Sequence, residues 1–339
     1  MKTNLSILTG AASLAALMSG AVAQTSAVTD PVGYITENIT GGPATGAFTL
    51  IAPSLVTKTE FAGASSNAPS ASLISTTATL PAGLNDGYFV ELKGGAQEGW
   101  WSTIQSVTGG DITVQGTFPA GLAVGQQFMI RKHQTLGSFL GANSAGIDPG
   151  LSLDDADEVQ LLDGATQVVA AYFYALAADG APADGWYDAS GNASDNEIIP
   201  PGNSVLVKRK QAGDKSFIQV GHVKTTKTQI GIWQGDNWVT PMLATGGTLG
   251  SLNLDTGDLA TGVQRGVDLN VDEFQLINTN QSVSAFFAAD PIQAGVTGWY
   301  DSGGNPADAT LVAENTGAIV RRKVNQTAIW TAPAQVIAP

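Results

Sequence analysis

The segment DEVQLLDGATQVVAAYF (Asp157–Phe173) occurs a second time as DEFQLINTNQSVSAFF (Asp272–Phe287). Three more segments recur with it, in the same order in both copies. TLGS (Thr135–Ser138) returns at Thr248–Ser251, GWYDASGNASD (Gly185–Asp195) as GWYDSGGNPAD (Gly298–Asp308), and VLVKRK (Val205–Lys210) as AIVRRK (Ala318–Lys323). The offset is 113 residues at both ends (135 to 248, 210 to 323) and drifts by one or two between them, as loop indels produce. A chain carrying the same motifs twice in the same order builds one unit twice. A fainter match sets Val32–Leu55 on Val220–Leu243 without gaps, at an offset of 188 (32 to 220), and places His222 on Tyr34. The offsets differ by 75, so the first unit carries about 75 extra residues. The expected plan is a leader at 1–23, a first unit at 30–219 with a module inserted at about 56–134, and a second unit at 220–339. Insertion into an exposed loop is physically well tolerated.

The repeated segments have strand character. EVQLL and VVAAYFYA flank the turn-forming DGATQ, and DEFQLI and VSAFFAA flank NTNQ, so each copy contains a hairpin. In the insert, GYFVELKGG, GWWSTIQSV, DITVQGTF and QQFMIRK are four short strands separated by Gly-rich turns. No sustained apolar period of 3.6 residues appears. The fold class expected is all-β: two homologous sandwich- or barrel-like units, the first with a small barrel-like module inserted.

Compartment follows from the N-terminus. MKTN is followed by the apolar, small-residue run LSILTGAASLAALMSG and by AVAQ, with Ala21 and Ala23 at the positions of an A-x-A cleavage site. This is the pattern of a secretory signal peptide. The chain is therefore expected to be exported, to the periplasm, the cell surface or the medium. No later stretch approaches the ~20 apolar residues of a spanning helix, so no membrane span is expected after cleavage. Cysteine is absent, which excludes disulfides, thiolate catalysis and Cys-based zinc sites. Lys and Arg total 15 against 29 acids, for a net charge of −14, which excludes nucleic acid as a partner.

The chain resembles a family of uncharacterised exported β-rich bacterial proteins associated with Verrucomicrobia and related bacteria. The resemblance is carried by DPVGYI (Asp30–Ile35), YFVELKGGAQEGWWSTI with GLAVGQQFMIRK, and GWYD with PPGNSVLVKRK. It implies export and a modular β architecture, and no activity.

Catalytic motifs are missing. His133 and His222 are the only histidines, and there is no H-E-x-x-H, G-x-S-x-G or phosphate-binding Gly loop. A carboxylate-pair glycan hydrolase needs only two acids on facing elements. The run Asp154, Asp155, Asp157 and Glu158 reads instead as a solvated turn leading into a strand. The basic triplets Lys208–Lys210 and Arg321–Lys323 are expected to pair with carboxylates of the same or a neighbouring chain. Glycan binding has better material: sugars stack on Trp and Tyr while Asp and Asn take hydroxyls. The candidates are Trp186 with Tyr187, Trp299 with Tyr300, and Trp100 with Trp101. No cofactor is required, but Asp188, Asn192 and Asp195, repeated as Asp301, Asn305 and Asp308, could supply oxygen ligands to calcium. The same residues are common turn formers. The reading that results is an exported, non-enzymatic protein with a structural, adhesive or surface-associated role in the cell envelope, able to self-associate. Carbohydrate binding at the Trp/Tyr-Asp corners is the alternative, and a carboxylate-based glycan hydrolase the third.

Overall fold

The computed structural model describes residues 31–42, 46–141, 146–292 and 295–335. The expected leader at 1–23 lies outside them. The duplicated motifs build the same antiparallel sheet twice. In the first unit the strand order is Gly185–Asp188, Val168–Ala175, Glu158–Asp163, Val205–Arg209, Ala47–Ile51. In the second it is Trp299–Asp301, Val283–Ala288, Glu273–Ile277, Ala318–Arg322, Gly235–Val239. A smaller sheet covers each. Val32–Ile39 pairs with Lys215–Val223 in the first unit, and Thr228–Ile232 with Ala328–Ala332 in the second. Alternation along Val32–Ile39 turns Ile35, Glu37 and Ile39 inward and Val32 and Tyr34 to solvent. The layers enclose one core around Ile39, Val159, Trp186, Val207 and Phe217, and a second around Ile232, Phe274, Trp299, Val320 and Trp330. The fold is all-β and sandwich-like.

Strand register corrects the gapless match of the first strands. Ile39 lies opposite Lys215 and Ile232 opposite Ala328, so Ile39 corresponds to Ile232, an offset of 193 (39 to 232). Ala47–Ile51 and Gly235–Val239 keep the offset of 188. The intervening loop is thus five residues longer in the first unit. His222 does not correspond to Tyr34; it faces Val32 across the small sheet. Short strands resemble one another in sequence, and a slip by an odd number of residues exchanges the two faces.

The insert forms one six-stranded sheet, ordered Thr59–Ala64, Gln127–Lys132, Tyr88–Leu92, Trp101–Thr108, Asp111–Val114, Leu73–Ser75. All four expected strands are present, with two more at the edges. No sheet among the described residues closes fully: the edge strands Thr59–Ala64 and Leu73–Ser75 do not pair, but Ser66 N–H donates to Ser75 O (2.7 Å) just beyond them. The insert's own core packs around Ile74, Val90, Ile104 and Phe128. TLGS proves to be a helix start. Thr135 N–H donates to Ser138 Oγ (2.7 Å) and Ser138 N–H to Thr135 Oγ1 (3.2 Å), capping the one-turn helix Leu136–Phe139. In the second copy Thr248 N–H donates to Ser251 Oγ (3.0 Å).

The two units join through reciprocal contacts, as two subunits do across a two-fold axis. Ser204 N–H donates to Trp238 O (3.0 Å), and Gly317 N–H to Leu50 O (2.9 Å). Thr240 N–H donates to Gly202 O (2.7 Å), and Ala52 N–H to Asn315 O (3.4 Å). Gln167 clamps the backbone of Asp236, accepting at 2.9 Å and donating at 2.9 Å. Gln281 clamps Phe48 in the same way, at 2.6 and 3.2 Å. Each partner in one contact is the repeat equivalent of a partner in the other. Ser204 and its equivalent Gly317 meet at the axis, where a Cβ on Gly317 would come within 2.5 Å of Ser204 Oγ.

The basic triplets pair inside their own units. Arg209 is buried against buried Asp157 (3.6 Å) and bonds Asp148 (2.9 Å); Arg322 is buried against Asp272 (3.3 Å). Lys208 and Lys210 reach Glu158, and Lys323 reaches Glu273. Asp157 is therefore no solvated turn residue. Its two oxygens accept from Asp148 N–H and Lys210 N–H, both at 2.8 Å.

Candidate functional site

The WYD corners face inward. Trp186 and Trp299 are 0% and 1% exposed and meet Tyr174 and Phe274 edge to face, at 5.5 and 6.0 Å. Alternation on a strand sends one of two adjacent aromatics into the core, and here it is the Trp. Neither indole has a face open to a sugar, which corrects the expectation for these two residues. Tyr187 is buried too, its ring stacked on Phe173 and its hydroxyl donating to Ala183 O (2.9 Å). It borders a recess of about 240 Å³ with Leu151 and Pro182. Tyr300 is half-buried against Phe287. Trp100 packs on Phe118 (4.6 Å) in the core of the insert.

The expected calcium ligands are engaged in turns. Asp188 accepts N–H bonds from Ser190 (2.8 Å) and Asn192 (2.9 Å), and from the Asn192 side-chain amide (2.9 Å). Asp301 does the same with Gly303, Asn305 N–H and the Asn305 amide. These donors hold both carboxyls below the usual range, led by the Asn192 side chain for Asp188 and by Asn305 N–H for Asp301. Asp195 and Asp308 turn elsewhere, accepting from Trp186 N–H (3.3 Å) and Trp299 N–H (3.2 Å). Each triad thus splits between two jobs, an Asx turn and a tie to the Trp backbone. Among the described residues no three His, Asp or Glu side chains gather as metal ligands would.

Trp101 is the predicted residue that does reach a cleft. The cleft, of about 520 Å³, opens where the insert, the first unit and the second unit meet. Trp101 forms the insert's wall. Its Nε1–H donates to Gln229 O (3.1 Å) and its ring edge meets Phe89 and His133. Trp233 lines the cleft from the second unit. It lies on two glycines: a Cβ on Gly164 would sit 2.9 Å from the indole, and one on Gly231 closer still. The first unit contributes Tyr172, Leu161, Glu197, Asn203 and Pro200. Burial, reinforced by Glu197 and Asp188, pushes the Tyr172 phenol up to about 12, so it stays neutral beside Glu197. Asp163 at the rim accepts from Thr166 Oγ1 (2.8 Å) and Ala165 N–H (2.9 Å), and the Thr166 bond leads in holding it low.

The walls are held from behind. Buried Lys224 of the segment before Thr228 reaches buried Glu91 of the insert, which also faces Arg131 (3.7 Å). Burial pulls the Lys224 ammonium down, and Glu91 pulls it back up. Gln229 N–H donates to Gly99 O (2.9 Å) beside it. The insert is thereby fixed to the second unit at the strand that presents Trp233.

The cleft lies where the two-fold match between the units fails. Tyr172 corresponds to Phe286, Glu197 to Thr310, Asp163 to Asn278 and Pro201 to Glu314. Ile230 on the cleft wall corresponds to Glu37, by the register of the small sheets. Trp101 has no counterpart, because the insert occurs in the first unit alone. Trp233 and Tyr172 were not singled out by sequence reasoning. The usable signal was that GIW (Gly231–Trp233), inside the faint repeat match, places an aromatic where the first unit has a polar loop. No family model, curated protein or solved structure matches the chain.

Proposed function

We propose that this is an exported, non-enzymatic protein of the cell envelope or its surroundings that holds carbohydrate in the three-module cleft. The observation that carries the reading is a cleft of ligand size walled by Trp101, Trp233 and Tyr172, at the place where the duplicated scaffold departs from its own symmetry. Aromatic faces take the C–H side of a pyranose, and Glu197 and Asn203 offer partners to hydroxyls. The leader pattern and the resemblance to exported β-rich proteins support export. An adhesive role follows if the carbohydrate belongs to a surface. No resident cofactor enters this reading. The filled Asx turns predict no shift in melting temperature between added Ca²⁺ and chelator.

The test is calorimetric titration of the chain with a panel of neutral and charged oligosaccharides. Binding should fall about tenfold in Trp233→Ala and in Trp101→Ala. Affinity unchanged in both variants would remove the cleft from the reading. Release of new reducing ends on prolonged incubation would replace it with hydrolysis.

A further inference from the structure

The charge of the cleft narrows what it accepts, on the footing that its ligand is a carbohydrate. Among the described residues, Asp163 and Glu197 are the charged side chains on its walls, and no Lys, Arg or His lines it. Asp188, directly across the sheet from Tyr172, adds a third negative charge nearby. A uronic or sulfated sugar would enter a negative field between apolar, low-dielectric walls, which opposes it. A neutral sugar gains stacking alone. A sugar bearing a protonated amine gains stacking, a charge-assisted hydrogen bond to a carboxylate, and the attraction of an aromatic face for a cation.

The two carboxylates are not equivalent. Asp163 is spent on its own turn, with Ala165 N–H, Thr166 N–H and Thr166 Oγ1 all donating to it. It supplies field. Glu197 is exposed and lines the cleft together with the Tyr172 phenol. Its carboxylate is available to an incoming ammonium, with the neutral phenol on the same cleft wall. We propose that the cleft selects oligosaccharides of free-amine hexosamines, of the glucosamine type, over their N-acetylated and acidic counterparts. The second unit has Phe286, Thr310 and Asn278 in place of Tyr172, Glu197 and Asp163, while Asp301 keeps the place of Asp188.

The experiment titrates the full chain with glucosamine trimer, N-acetylglucosamine trimer and galacturonic acid trimer, at low salt and at a pH where the amine is protonated. The glucosamine trimer should bind about fivefold more tightly than the N-acetylated one, and the acidic trimer least. The preference should shrink at high salt. Glu197→Gln should bring the ratio of the first two affinities to about one. Because Glu197 is exposed, the variant should melt with the parent, which a thermal scan checks. Equal or tighter binding of the N-acetylated trimer overturns the proposal, as does a preference that survives Glu197→Gln. If no trimer binds, the carbohydrate reading itself falls, and the proposal with it.

Discussion

The first and second units share a skeleton and differ on one face. Both contain the five-stranded sheet, the buried Trp of the WYD corner, the Asx turn, the Asp tied to the Trp backbone and the Arg–Asp pair in the interior. Both give a turn Gln to the other's strand. These shared features are the ones that backbone and core require, since each satisfies buried polar groups or fills volume. The differences gather at Tyr172, Glu197, Ile230 and Trp233, where the insert also arrives. Within one molecule each unit therefore serves as a control for the other: what both keep is structural, and what only one has is available for binding.

That comparison can be broken from its strongest shared element downward. Trp186→Ala and Trp299→Ala should each cost about 3–5 kcal/mol in chemical denaturation, because each leaves a large void in a full core. Costs differing by more than about 2 kcal/mol would show that the corners are not equivalent. Arg209→Met and Arg322→Met each strand a buried carboxylate, at about 3–5 kcal/mol. The Arg322 variant should lose more. Arg322 also donates to Gly262 O (2.9 Å), Leu259 O (2.6 Å) and Gln326 O, whereas Nε and Nη1 of Arg209 make no hydrogen bond among the described residues.

Glu37 and Ile230 occupy the same place in the two units, and they sharpen the contrast through pH. Glu37 is 0% exposed, and burial, reinforced by Glu314, raises its pKa from 4.5 to about 9. The native state then keeps a proton that the unfolded chain releases. The contribution of this group is intact below about pH 4.5 and declines as pH rises toward 9. Glu37→Gln should remove that decline, leaving the variant about 3 kcal/mol more stable than the parent at pH 7 and equal to it at the acid end. Parallel stability curves from urea titrations across that range would contradict the assignment. The smallest effects concern the clamps. Gln167→Ala and Gln281→Ala should each cost about 1 kcal/mol, and by the same amount, if the reciprocal joint is as even as its hydrogen bonds.

Much of the skeleton was legible. The offset of 113 located the hairpins, because DGATQ and NTNQ are turn chemistry between strand-forming runs, and turn chemistry is local. TLGS was visible as a repeat but not as a helix start, since one turn leaves no periodicity to read. The match of Val32 with Val220 went astray because β strands of this length carry too little pattern to fix register against a loop change. Of six aromatic candidates for binding, Trp101 alone reached the cleft. The sequence rule that adjacent strand residues face opposite ways was sound, but it does not say which face is filled. Asp157 read as solvated because its partner Arg209 lies 52 residues away (157 to 209).

Sequence by itself determined the all-β class, the duplication and the position of the inserted strands, because these rest on alternation, turn residues and self-similarity. Tertiary structure decided which aromatics are buried, that the units meet reciprocally, and that Trp101, Tyr172 and Trp233 share one cleft. Those three residues come from three modules, and nothing local in the chain encodes their approach. It is set by the joint between the units and by the Lys224–Glu91 contact that fixes the insert, both made of interactions between residues far apart in sequence.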